Sequence, residues 1–164
     1  MTVNHFEIFG LQPSVDLDVS SLEAKYRDLS LQNHPDRNPS DRVAAAQRTA
    51  AINDAIKVLK DPARRALYLL QLKGIDLERV QMPMDFLERI LEQREQLEIA
   101  KAKKDVPRAR GLAAQISAES DGVLAEGQAA LRAGDVQKAT TALAKVRYFT
   151  RFIEEVEAFE EEVA

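Results

Sequence analysis

His34, Pro35 and Asp36 stand in a row within "LQNHPDRNPSD", residues 31–41, and bring an imidazole, a ring-locked backbone and a carboxylate into three positions. Pro35 fixes its own φ and steers His34 away from helical backbone, so Asp36 is expected to be held out from the chain rather than folded onto a helix end. A carboxylate displayed in that way can compete for an arginine on another protein, because a two-pronged carboxylate–guanidinium contact is strong and directional. The two prolines and two asparagines of the stretch end the helical pattern before it and predict a loop.

Few other chemistries are open to this chain. It has two histidines, His5 and His34, and no cysteine. Disulfides, thiolate zinc sites, cysteine-ligated iron–sulfur clusters and cysteine nucleophiles are therefore excluded. No serine stands in a nucleophile-elbow context for a His–Asp pair to activate, and the two histidines lack the helical spacing and carboxylate company of a metal site. Neither enzymatic activity nor a metal or cofactor is expected. The net charge of −4 lies in the second part: residues 1–76 hold 10 Lys+Arg against 10 Asp+Glu, and residues 77–164 hold 13 against 17. Nucleic-acid binding needs a basic footprint, so the expected partners are proteins. With no basic segment followed by an apolar run in the first thirty residues, and no apolar run of about 18 residues anywhere, neither a signal peptide nor a membrane span is expected. The cytoplasm is the expected compartment.

The elements that must position the tripeptide are helical. Alanine, leucine, glutamate, arginine and glutamine dominate, glycine and proline number 6 each, and no useful period-2 run occurs, so the fold class is all-α. Phe6, Phe9 and Leu11 mark a brief first helix closed by Gly10. Ser20 and Glu23 have capping-box spacing before Leu22, Tyr26 and Leu29, which predicts an amphipathic helix ending near Asn33. Ser40 or Asp41 can cap a third helix that buries Ala45, Ile52, Ala55, Ile56 and Leu59. Asp61, Pro62 and Gly74 suit the cap, first turn and end of a fourth. Helices two and three would be antiparallel neighbours with the His-Pro-Asp loop at their tip.

Residues 75–83 read as a connector. Beyond it the spacing predicts helices from about Asp85 to Lys104 and from about Pro107 to Ala133, with Gly134 and Asp135 punctuating the next. The last helix carries Ala139, Leu143, Val146, Phe149, Ile153, Val156, Phe159 and Val163 in steps of three and four. Three long helices with short turns predict an antiparallel three-helix bundle over 84–164, behind a first domain at 1–74.

The tripeptide after a capped amphipathic helix and before another, preceded by a short aromatic helix and followed by "RNPSD", resembles a J-domain, the module that stimulates ATP hydrolysis by DnaK-type chaperones. "NHFEIFGL" and "DPARRALYLLQLKG", with Arg65, Ala66, Tyr68, Leu69, Leu70, Leu72 and Gly74, are similar to the HscB family, the J-type co-chaperones of iron–sulfur cluster assembly. That resemblance covers essentially the whole chain. It implies a DnaK-type partner, HscA, met by His34, Pro35, Asp36 and Arg37 together with Lys25 and Arg27 of helix two. It also implies a client, the scaffold protein IscU, met by Leu87, Leu91, Glu92 and Glu95 of "FLERILEQREQL" and by Tyr148 of the facing helix. Leu69, Leu70 and Leu72 are expected to pack in the core. Two residues depart from the family pattern: Asn33 stands where J-domains usually have tyrosine, and Glu88 where methionine is common. A general J-protein for other clients, or a helical assembly adaptor with an incidental tripeptide, are the alternative readings.

Overall fold

The computed structural model describes residues 3–164. They fall into two compact units, one ending at Leu72 and the other spanning Lys73–Ala164. Among the described residues the backbone forms seven α-helices and two 3-10 turns and no strand, the expected all-α class.

In the first unit, α1 (His5–Ile8) is held closed at its start by a reciprocal cap: Asn4 Oδ1 accepts the Glu7 amide at 2.9 Å and the Asn4 amide donates to Glu7 Oε2 at 3.1 Å. Its Phe6 is buried, as is Phe9 just beyond, and the helix packs on α3. α2 (Val19–Gln32) is capped by Asp18, whose carboxylate accepts the Ser21 amide, so Ser20 lies inside the helix and not at its cap. Leu22 of α2 is buried, and the Tyr26 hydroxyl donates to Asn53 Oδ1 of α3 (Arg42–Leu59) at 2.7 Å. Asn33, just past α2, meets Arg48 of α3, so partners advance in opposite directions along the two helices and the pair is antiparallel. Every residue assigned from spacing to the buried side of α3 is buried. α4 (Pro62–Leu72) opens with the Asp61 carboxylate accepting the Ala63 and Arg64 amides. It buries Leu69 and Leu70, whereas Leu72, expected in the core, is 40% exposed at the helix end.

Arg65 is the charged residue of this core. Its Nε donates to the Val15 carbonyl at 3.0 Å and a terminal nitrogen donates to the Leu59 carbonyl at 2.6 Å, tying the loop before α2 and the end of α3 to α4. Burial pushes the guanidinium down from its ordinary value, opposed by the carboxylates of Asp16 and Asp61.

The second unit stacks α5 (Met84–Ala102), α6 (Val106–Arg132) and α7 (Val136–Val163). Phe86, Ile90, Leu97 and Ala100 of α5 meet Ala109 and Ile116 of α6 and Phe149, Phe152, Val156 and Phe159 of α7. Large rings pack against alanines across the helices, and at Gly127 of α6 the Leu143 side chain of α7 takes the space a side chain would need, a Cβ there lying 2.7 Å from Leu143 Cδ2. Phe152 was not among the residues assigned to the core from spacing. Ile153, which was, is only half-buried, and Val163 is exposed. Both interhelix turns use one residue of left-handed backbone, Lys104 (φ 52°) and Gly134 (φ 74°), and return the following amide to a carbonyl of the last turn: Asp105 to Ala100 and Asp135 to Ala130. The segment expected as a connector holds a 3-10 turn, Leu77–Arg79, whose Glu78 accepts from Arg147 at 2.6 Å and Arg151 at 3.3 Å on α7.

Candidate functional site

The His-Pro-Asp segment is more ordered than a plain loop. Residues Pro35–Arg37 form a single 3-10 turn, with the Arg37 amide donating to the His34 carbonyl at 2.9 Å and the Asn38 amide to the Pro35 carbonyl at 3.1 Å. His34 is extended (φ −61°, ψ 135°), as a residue before proline prefers. Its Nδ1 accepts the Asp36 amide at 3.2 Å. The Asp36 carboxylate comes within 3.6 Å of the same Nδ1 but is otherwise in water, its side chain 83% exposed. The backbone and the imidazole Nδ1 thus shape the turn, while the carboxylate faces solvent. Arg37 beside it is exposed as well.

The turn is braced from both sides by residues that spacing did not single out. Asn38 Nδ2 donates to the carbonyls of Gln32 and His34, at 3.0 Å each, closing the turn back onto the end of α2. From α3, Arg48 Nε donates to Asn33 Oδ1 at 2.8 Å and the Thr49 hydroxyl donates to the Asn33 carbonyl at 3.1 Å. Of the two basic residues expected to extend this face, Arg27 is exposed and lines a groove of 540 Å³ with Tyr26, Asn53, Ile56, Lys57, Lys60 and Glu23. Lys25 is half-buried and its ammonium turns to the Phe9 carbonyl at 3.5 Å.

In the second unit a separate surface is defined by what α5 leaves outside its core. Phe86 points inward, its ring edge-on to Tyr148 at 5.7 Å and to Phe149 at 5.6 Å, with Arg89 and Lys145 over its face. Ile90 and Leu97 follow it inward. The helical repeat then sends Leu87, 36% exposed, and Leu91, 58% exposed, to solvent, with Glu92 and Glu95 exposed beside them. Met84, three residues before Leu87 and 71% exposed, continues the same stripe and was missed because it sits at the helix start, where no apolar period is visible. Tyr148 is half-buried: it packs against the core through Phe86 and keeps part of its surface open. An apolar stripe flanked by carboxylates on the solvent side of a helix is the ordinary form of a protein-docking surface.

Among the described residues no group of His, Cys, Asp and Glu is arranged to hold a metal ion, and no helix is long and apolar enough to cross a membrane.

A helical hairpin that displays a His-Pro-Asp turn at its tip defines a J-domain protein, and residues 4–68 match the family model described as DnaJ domain. Residues 82–157 match a second model, the HSCB C-terminal oligomerisation domain. The chain is 36% identical over 167 residues to a co-chaperone protein HscB homolog of Aeromonas hydrophila subsp. hydrophila, with 97% of each covered. The solved structure of chaperone HscB from Vibrio cholerae superposes with a TM-score of 0.77 at 35% identity, covering 99% of this chain and 100% of that one. That of human co-chaperone protein HscB gives 0.79 at 26% identity, covering 96% and 82%. The chain belongs to the HscB family, the J-type co-chaperones of iron–sulfur cluster assembly.

Proposed function

We propose that this co-chaperone stimulates ATP hydrolysis by a DnaK-type chaperone of the HscA kind and delivers the iron–sulfur scaffold protein IscU to it. His34, Pro35, Asp36 and Arg37 make the chaperone contact, supported by Arg27 and, more weakly, by Lys25, whose ammonium is turned to a backbone carbonyl. Leu87, Leu91, Glu92, Glu95 and Tyr148 make the client contact, with Met84 extending its apolar stripe. The J-domain occupies 1–74, the connector 75–83 and the client-binding bundle 84–164. The protein catalyses no reaction of its own, holds no cluster and works in the cytoplasm. The observation that carries this reading is the Asp36 carboxylate, 83% exposed on a turn whose backbone is held by hydrogen bonds from the Asp36, Arg37 and Asn38 amides. A free charge on a rigid support loses little entropy when an arginine takes it up. Single-turnover ATP hydrolysis by the chaperone, with the co-chaperone and scaffold added separately and together, tests it. Acceleration by the co-chaperone and a further rise with both is expected, and an unchanged rate in all three mixtures would refute it.

A further inference from the structure

We propose that Arg48 is a positioning residue for the His-Pro-Asp turn, acting through Asn33. This rests on the reading that Asp36 contacts a DnaK-type chaperone. Asn33 is the last residue before the tripeptide, and each of its polar groups is spoken for. Its Nδ2 donates to the Leu29 carbonyl in the final turn of α2 at 2.8 Å, its Oδ1 accepts from Arg48 Nε at 2.8 Å, and its backbone carbonyl accepts from Thr49 at 3.1 Å. The amide orientation is fixed by the two side-chain bonds, because a flipped amide would set donor against donor at Arg48 and acceptor against acceptor at Leu29. Arg48 also lies 3.7 Å from Asp41, the residue that opens α3, so one guanidinium spans the start and end of the segment carrying the turn. Asn33 and Arg48 together flank a groove of 220 Å³ whose other walls are Ile8, Leu29, Ala51 and Ile52. Asn33 is a short side chain at the wall of that groove, and what ties it to α3 is its pair of hydrogen bonds to Arg48 and Thr49.

Arg48 is half in water, its side chain 46% exposed, and an exposed contact of this kind adds little to global stability. Its effect is on where the turn sits. If the brace is lost, the turn samples other positions and the competent one is populated for a smaller fraction of the time. The apparent affinity for the chaperone falls by that fraction, while the saturated complex is unchanged.

Two substitutions separate the contacts. Gln places its amide nitrogen at the same chain position as Arg Nε, so Arg48→Gln keeps the donor to Asn33 and loses the reach to Asp41. Arg48→Met matches glutamine in length and loses both contacts. Arg48→Met is expected to raise the co-chaperone concentration giving half-maximal ATPase stimulation roughly three- to tenfold, with the maximum unchanged, and Arg48→Gln to stay within about twofold of wild type. The amides of Arg37 and Asn38 should exchange with solvent faster in Arg48→Met than in Arg48→Gln, at the same melting temperature. Asp36→Asn, run beside them, isolates the underlying reading. If it abolishes stimulation while Arg48→Met matches wild type in half-saturation and amide exchange, the brace is refuted and the chaperone contact stands. If Asp36→Asn stimulates normally, the chaperone contact is refuted and the brace is decided by amide exchange alone.

Discussion

Leu91→Ala tests the proposed docking role of Leu91 against a core residue of the same helix. Leu91 is 58% exposed, whereas Leu97, six residues along α5, is fully buried. The truncation removes about three carbon groups, each contributing about 0.8 kcal/mol when fully buried. With more than half of Leu91 already in water, its loss to stability is held to about 1 kcal/mol, and the better helix propensity of alanine offsets part of that. Leu97→Ala forfeits the whole transfer term and leaves a cavity, at about 2–5 kcal/mol. In a domain of this size about 1 kcal/mol moves the melting midpoint by roughly 4–8 °C, so Leu91→Ala shifts it by a few degrees and Leu97→Ala by on the order of 10 °C or more. Against the scaffold the order reverses. An apolar anchor in a docking surface contributes about 1–2 kcal/mol, so Leu91→Ala weakens binding by about 5- to 30-fold, while Leu97→Ala, assayed below its own midpoint, leaves it within about twofold. Tyr148→Ala should cost on both counts, since the ring is edge-on to Phe86 and also partly open. Titration calorimetry against the scaffold, paired with scanning calorimetry, reads both quantities. A Leu91→Ala protein that melts as early as Leu97→Ala and binds the scaffold normally would show that the stripe is structural.

Two further changes test the packing account of each unit. Arg65→Met is expected to destabilise the first unit by about 2–4 kcal/mol in urea unfolding, because the carbonyls of Val15 and Leu59 lose their donor in a buried setting; a change under half a kcal/mol would refute that role. Lys104→Gly is expected to stabilise the second unit by about 1 kcal/mol, since Lys104 holds φ 52° at the position that Gly134 fills in the next turn; an unchanged or lowered urea midpoint would count against it.

Legibility in the sequence followed the number of physical terms acting at each residue. The apolar face of α3 was read correctly because one term, burial at helical spacing, decides it. The start of α2 was not. Asp18 and Ser20 are both capping types, and only the backbone conformation tells which one sits outside the helix. On α7 the pattern found Phe149, Val156 and Phe159 but missed Phe152, because a helix packed against two others buries a wider arc than one row of i, i+3 and i+4 steps. Leu87 and Leu91 were visible as a stripe, but Phe86 and Ile90 form an equally apolar row. Which row faces inward was settled by Phe86 lodging against Tyr148 and Phe149, a contact some sixty residues distant in the chain. The display of Asp36 followed from Pro35 alone. The bracing by Asn38 and Arg48 did not, since polar contacts across a hairpin leave no periodic trace.

The central claim, that the Asp36 carboxylate drives the chaperone's ATPase, is tested most directly by single-turnover hydrolysis with saturating wild-type or Asp36→Asn co-chaperone. The substitution keeps the shape and removes the charge on a side chain that is 83% exposed, so the fold has no stake in it. The account predicts no acceleration over the chaperone alone from Asp36→Asn, at unchanged helical circular dichroism and unchanged affinity for the scaffold. Wild-type acceleration by Asp36→Asn would contradict it.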